Sequence, residues 1–341
     1  MIDSLSIMLK PASGGCNLDC DYCFYKDEMS LRSANDISLM SVSTAKTLLD
    51  KAFQVARKCS IAFQGGEPLL AGLGWLEEVV GYAKAKGYEA SWSCQTNGTL
   101  IDDGFASFFH DNGFLLGVSL DGNRLIHNIH RSGSFSQAME GIRHLQAHNV
   151  EFNILSVVTE DLADNIDAIW DFFIRNDFRY LQFIACMPPL GEPGRRFLLP
   201  RTYGLFLCRL HELQEEAHLH GIDVSIRLFD NIQAMLAGHS PEACDMNGSC
   251  SIQYVIESSG DCYPCDFYCL DEHRLGNILT DSFQAIDQKR LESGFLARQE
   301  LHKDCKGCRI SPICNNGCRR TRDEKGKFLY CESYKMLFGT K

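Results

Sequence analysis

Three kinds of segment are missing from this chain of 341 residues, and each absence removes a class of function. The N-terminus, MIDSLSIMLKPASGG, has no basic stretch leading into an apolar core, so no secretory signal is expected there. No apolar run approaches the ~18 residues that cross a bilayer, so no membrane partner is expected. No basic tract is present, and 44 acidic against 33 basic side chains give a formal charge of -11, which repels nucleic acid. Internal repeats and low-complexity tracts are lacking as well. The expectation is a folded cytoplasmic enzyme of one or two domains.

Cysteine, by contrast, is abundant: 17 residues in a compartment that keeps thiols reduced. Their clustering points to metal rather than to disulfides. Cys16, Cys20 and Cys23 form C-x3-C-x2-C on a loop that follows two glycines. Three thiolates bind three irons of a 4Fe-4S cube and leave the fourth iron open to a chelating ligand. By spacing alone the same loop also reads as a zinc site.

Short apolar, β-rich runs near 5–10, 60–64, 90–95, 115–120, 152–158 and 180–185 alternate with helical patterns at 43–57, 73–86, 102–112, 134–149, 165–176 and 202–220. Six such units suggest an α/β fold of the partial (β/α)6 TIM-barrel type. Chemistry in such a scaffold sits where strands end. The cysteine loop follows the first strand, Gly65-Gly66-Glu67-Pro68 the second, Gln95-Thr96-Asn97-Gly98 the third and Ser119-Leu120-Asp121-Gly122 the fourth. At Gly66 the missing side chain lets backbone approach a small polar ligand, and Glu67 can accept from an ammonium group.

Beyond about Gly238 helical periodicity fades and Cys, Gly and aromatic residues become dense, so a small metal-organised domain is expected over 238–341, after a barrel over 1–237. A hairpin is expected at 253–261, turning at Gly260. Eight cysteines (Cys244, Cys250, Cys265, Cys305, Cys308, Cys314, Cys318 and Cys331) suffice for two four-cysteine sites, and spacing leaves zinc and iron-sulfur both open. Cys262 and Cys269 flank Cys265 as spare thiols; Cys59, Cys94, Cys186 and Cys208 read as small hydrophobes. His127 and His130 read as hydrogen-bonded or solvated side chains, and Arg195-Arg196 as a solvated basic spot.

The segments KPASGGCNLDCDYCFY, AFQGGEP, QTNGTL, SLDG, CDMNGSC, YPCDFY and CKGCRISPICNNGC occur in an order that closely resembles the anaerobic sulfatase-maturating enzymes. These are radical S-adenosylmethionine proteins with a C-terminal SPASM domain, and the resemblance runs from about Leu5 to Tyr334. It implies three 4Fe-4S clusters: one on Cys16, Cys20 and Cys23, one on Cys244, Cys250, Cys265 and Cys318, and one on Cys305, Cys308, Cys314 and Cys331. It also implies S-adenosylmethionine contacts at Tyr22, Gly66, Ser119, Arg131 and Met187, where a relative carries Leu in place of the last. Asp266 takes the place of the proton acceptor. The implied reaction oxidises a peptidyl Cys or Ser of a sulfatase polypeptide to Cα-formylglycine, with a flavodoxin or ferredoxin as electron donor.

Two rival functions share these features. A SPASM peptide maturase would install thioether or carbon-carbon cross-links in a ribosomal peptide; such enzymes often carry an additional leader-binding module, for which the fifteen residues before Cys16 leave no room at that end. A zinc-stapled binding protein would have no catalysis at all.

Overall fold

The computed structural model describes residues 1–33, 38–190, 197–297 and 300–339. Arg195 and Arg196 lie outside them. Among the described residues the strands are β1 (Ile2–Lys10), β2 (Ala56–Phe63), β3 (Glu89–Thr96), β4 (Leu115–Ser119), β5 (Phe152–Val158), β6 (Tyr180–Ala185), β7 (Ser225–Ile226), β8 (Tyr254–Glu257), β9 (Asp261–Tyr263) and β10 (Gly276–Asn277). The first six helices are α1 (Phe24–Leu31), α2 (Val42–Val55), α3 (Leu73–Ala85), α4 (Asp103–Asp111), α5 (Arg124–His130) and α6 (Phe135–Ala147). They are followed by α7 (Glu160–Asp164), α8 (Ile166–Arg175), α9 (Pro200–Leu219), α10 (Arg227–Leu236), α11 (Phe283–Glu292), α12 (Ser311–Cys314) and α13 (Cys331–Leu337). The α/β expectation with parallel strands is borne out.

Two compact units divide the chain. The first comprises Met1–Ser119, Arg131–Phe152 and Ile252–Phe295. Its strands run in the order β10-β9-β8-β1-β2-β3-β4, with β1 to β4 parallel. The expected hairpin forms as β8 and β9, turning through Gly260 at φ 87°, and β8 lies parallel beside β1 in a register that sets Lys10 against Glu257. That pairing brings the cysteine-rich hairpin to the strand carrying the first cysteine loop.

Helices cover this sheet because their apolar residues recur on one face. Leu48, Leu49 and Ala52 of α2, Val79 and Val80 of α3, and Phe109 of α4 are all buried. Ser41 and Asp102 cap α2 and α4 by accepting backbone N–H bonds from Thr44 and Phe105. The helical pattern that reads to residue 57 ends at Val55: the chain passes straight into β2, where Ala56 already pairs with Ile2. Lys58 and Ser60 are exposed while Cys59 and Ile61 are buried, an alternation of period two.

The second unit comprises Leu120–His130, Asn153–Ser251 and Leu296–Lys341. Here β5, β6 and β7 pair in parallel, with α8 and α9 burying Ile169, Phe173, Phe206 and Leu210. Helix α13 packs on α9 at Gly204, where any Cβ would lie 2.5 Å from the Met336 sulfur. Tyr330 donates to the Cys186 carbonyl at 2.9 Å and Ser333 to that of Pro200, so the segment that begins α13 at Cys331 is fixed at both sides.

Candidate active site

Two clusters of side chains dominate the first unit. Around the cysteine loop the contacts are made mainly by backbone and amide groups, with Lys26 donating to the Cys20 carbonyl at 2.7 Å and pairing with exposed Asp19. Gly66 N–H donates to the Ser13 carbonyl at 2.8 Å and Glu67 N–H to that of Gly15 at 2.8 Å. A Cβ at Gly66 would fall 2.0 Å from the Gly15 oxygen, so only glycine permits this approach. The glycine read from sequence as making room for a ligand therefore also makes room for the cysteine loop itself.

Glu67 is fully buried. Its carboxylate accepts from Thr96 Oγ1 at 2.8 Å, the Leu69 N–H at 3.0 Å and the Asn97 N–H at 2.8 Å. Burial pushes its pKa up to about 7 against those three donors. The loops ending β2 and β3 are thereby tied to each other and to the cysteine loop.

Cys16 is exposed, Cys20 buried and Cys23 between the two. Burial raises the Cys16 thiol; the Leu18 N–H and the Asn97 side chain oppose it, while Glu67 and Cys23 add to it. Cys23 precedes α1; burial raises its thiol, opposed by the Tyr25 and Lys26 N–H groups at that helix start and by the Lys26 and Arg131 cations. Three sulfurs on one short loop, supplied with N–H donors, fit the thiolate corner of an iron-sulfur cube. Nearby, the Arg131 guanidinium carbon lies 5.4 Å from the Tyr22 ring centre, and Gln95 donates to Ser119 Oγ at 3.2 Å where β4 ends.

The second cluster is ionic and buried. Asp266 Oδ2 accepts from Tyr25 Oη at 2.6 Å and from Gln64 Nε2 at 3.3 Å. Its Oδ1 pairs with Lys10 Nζ at 3.4 Å and, among the described residues, makes no hydrogen bond. Lys10 also pairs with Glu257 Oε1 at 3.1 Å and donates to Cys269 Sγ at 3.6 Å, while Arg32 takes the other Glu257 oxygen at 2.6 Å. Burial lowers the Lys10 pKa, but Cys269, Asp266, Glu257 and Glu28 outweigh it and hold the ammonium well above its usual range. Glu28, whose carboxylate accepts the Cys269 N–H at 3.4 Å, is pushed by burial up to about 8 and keeps its proton at neutral pH. Tyr25 is likewise raised by burial and by Asp266, so it stays a donor.

Sequence reasoning reached Asp266 but not Lys10, Tyr25, Gln64, Glu28 or Glu257. The available signal was position: Lys10 closes β1 and Gln64 directly follows β2, the strand ends where barrel chemistry collects. Cys269, read as spare, is buried and bonded to Lys10, and Cys262 is buried in β9.

In the second unit the Cys314 thiol is pushed up to about 11, by burial first and then by Cys331, Cys305 and Cys308, which stand close to it. Cys244 is pushed to about 11 by burial, then by Asp245, Cys318 and Cys250. Asn315, Asn316 and Gly317 take three successive left-handed conformations between Cys314 and Cys318, and Asn315 Nδ2 donates to the Met246 carbonyl at 2.8 Å. This turn joins the two cysteine segments of the unit. Among the described residues no three ligating side chains converge as they would on a single ion; the thiolates of a four-iron cube sit further apart, on its corners. Met187 follows β6 and is half-buried. His127 accepts the Asp121 N–H at 3.3 Å and His130 meets Asp161 at 3.1 Å, as hydrogen-bonded histidines.

Comparison with known proteins supplies names for these parts. Residues 11–171 match the model of the radical SAM superfamily and residues 244–309 that of the SPASM iron-sulfur cluster-binding domain. The chain is 40% identical to a cysteine-type anaerobic sulfatase-maturating enzyme of Clostridium novyi, over 98% of this chain and 94% of that protein. It is 30% identical to a serine-type anaerobic sulfatase-maturating enzyme of Klebsiella aerogenes, over 97% of this chain and 84% of the relative. A solved structure described as native anSMEcpe with bound AdoMet and Cp18Cys peptide superposes with a TM-score of 0.90 at 39% identity, covering 99% of this chain and 96% of that one.

Proposed function

We propose the function of this chain from one premise: it belongs to the anaerobic sulfatase-maturating enzymes, radical S-adenosylmethionine proteins with an iron-sulfur-binding SPASM domain. It is an oxidoreductase that acts on a peptide and converts a sulfatase side chain to Cα-formylglycine. Its substrate residue is a cysteine. Greater identity to the cysteine-type relative than to the serine-type one supports that choice.

In this reading Cys16, Cys20 and Cys23 hold the reactive 4Fe-4S cluster, Tyr22, Gly66, Glu67, Ser119 and Arg131 surround S-adenosylmethionine, and Met187 keeps the contact that the family resemblance gives it. Cys305, Cys308, Cys314 and Cys331 hold one auxiliary 4Fe-4S cluster, Cys244, Cys250 and Cys318 serve the other, and Cys265 keeps the ligand role that the family resemblance gives it. Residues 1–237 house the radical chemistry and 238–341 the auxiliary clusters. When bound, the cofactors supply a 5′-deoxyadenosyl radical that removes one Cβ hydrogen and a sink for the second electron.

What this chain's own side chains contribute is the proton step. The substrate thiol must lose H⁺ as the carbon loses its second electron, leaving C=S, which water converts to the aldehyde with release of hydrogen sulfide. Asp266 takes that proton. The observation that carries the assignment is its asymmetry: Oδ2 is saturated by Tyr25 and Gln64, whereas Oδ1 is buried and, among the described residues, makes no hydrogen bond, only an ion pair with Lys10. The Lys10 ammonium stands 3.4 Å from that oxygen. A flavodoxin or ferredoxin in the cytoplasm supplies the reducing electron; no described helix is long and apolar enough to cross a membrane.

Anaerobic turnover with paired Cys and Ser sulfatase-type peptides, followed by mass spectrometry, tests the reading. Aldehyde on the Cys peptide is expected. No aldehyde on either, or a cross-linked product, would reject it.

A further inference from the structure

We infer that Asn97 sets the reduction potential of the cluster on the Cys16–Cys23 loop by donating a side-chain hydrogen bond to the Cys16 sulfur, an inference that rests on the proposed function. Asn97 Nδ2 lies 3.7 Å from Cys16 Sγ and 2.8 Å from Asn17 Oδ1, one direction for each amide hydrogen. The orientation of the amide is determined by its other end. Asn97 Oδ1 accepts from the Thr99 N–H at 3.0 Å and from Thr99 Oγ1 at 2.7 Å, and a backbone N–H can only donate. A flipped amide would set NH₂ against that N–H, so the nitrogen must face the sulfur.

The holder is itself held. Asn17 Nδ2 donates to Thr99 Oγ1 at 2.9 Å, closing a ring of Asn17, Thr99 and Asn97. The Asn97 N–H is bound by buried Glu67 at 2.8 Å, and Asn97 is 7% exposed. With the Leu18 N–H at 3.4 Å, two donors converge on one ligand sulfur.

Reduction adds negative charge that spreads onto the thiolates, so an N–H aimed at a ligand sulfur stabilises the reduced cluster more than the oxidised one and raises its potential. Asn97 touches the ligand directly. Thr99 is a positioning residue, acting only by keeping the amide turned.

The test is an EPR-monitored redox titration of the reconstituted holoenzyme, following the signal that changes on adding S-adenosylmethionine, with iron and sulfide content measured alongside. Asn97→Leu should retain iron and sulfide but shift the midpoint negative, equivalent to about tenfold less reduced cluster at a given poise, or ~59 mV for a one-electron couple. Asn97→Asp, which turns an acceptor oxygen toward the sulfur, should shift further the same way, and Thr99→Val less. Midpoints of Asn97→Leu and Thr99→Val equal to the parent's would overturn the inference while leaving the proposed function intact. Should Asn97→Leu fail to load iron, Asn97→Asp, which keeps the acceptor for the Thr99 N–H but removes the donor to sulfur, decides by the same criterion. A parent enzyme lacking any signal responsive to S-adenosylmethionine would instead overturn the proposed function and the inference with it.

Discussion

The two clusters of the first unit are built in opposite ways. The cysteine loop is held mainly by backbone and amide contacts, with Gly66 against Gly15, Glu67 capping N–H groups, and Asn97 turned by Thr99, and its ion pair of Lys26 with Asp19 lies at the surface. The Asp266 pocket is held by buried charge, with Lys10 and Arg32 facing Glu257, Asp266 and a protonated Glu28. The difference teaches that shape governs the first and charge the second, as the proposed function requires of a loop that admits a large cofactor and of a carboxylate that takes a proton.

Substitutions can break this contrast, the most damaging first. Cys20→Ala should abolish both 5′-deoxyadenosine and formylglycine, since in the proposed function it removes a ligand of the reactive cluster; chromatography of the turnover mixture reads both. Lys10→Met should leave the Asp266 side of the pocket without its cation. Breaking a buried pair costs about 3–5 kcal/mol, to be seen as a lower denaturation midpoint together with less formylglycine per 5′-deoxyadenosine. Gly66→Ala changes no charge, yet its methyl meets the Gly15 backbone. A cost of about 1–3 kcal/mol and lower iron loading are expected, with product per 5′-deoxyadenosine unchanged in the molecules that load.

The smallest effect belongs to Glu28. A carboxyl whose pKa rises from 4.5 to about 8 on folding holds its proton in the folded state while the unfolded chain ionises. Stability therefore falls as pH rises from 4.5 to about 8 and levels beyond it. Glu28→Gln should remove this slope, making the variant more stable than the parent at pH 8, with the gain shrinking toward pH 4.5. Urea midpoints at several pH values measure it.

Much of this was legible in the sequence because it repeats a local rule. Alternating apolar runs marked β1 to β6, cysteine spacing marked the cluster loop, and the resemblance of the CDFY segment pointed to Asp266. What was not legible is held by partners far apart in the chain. Lys10 and Glu257 are 247 positions distant, adjacent only because β8 lies beside β1. A lysine closing a strand reads as an exposed end until its neighbour strand is known. Asn97 fails to announce itself for another reason: its function depends on which way an amide is turned, and Thr99 decides that through geometry alone.

The ratio of formylglycine to 5′-deoxyadenosine made by Asp266→Asn tests the central claim most directly. Asparagine keeps the size of the side chain but cannot take a proton. The account predicts that S-adenosylmethionine cleavage persists while formylglycine falls by about 10²–10⁴-fold, the usual worth of a general base. A ratio equal to the parent's would contradict it.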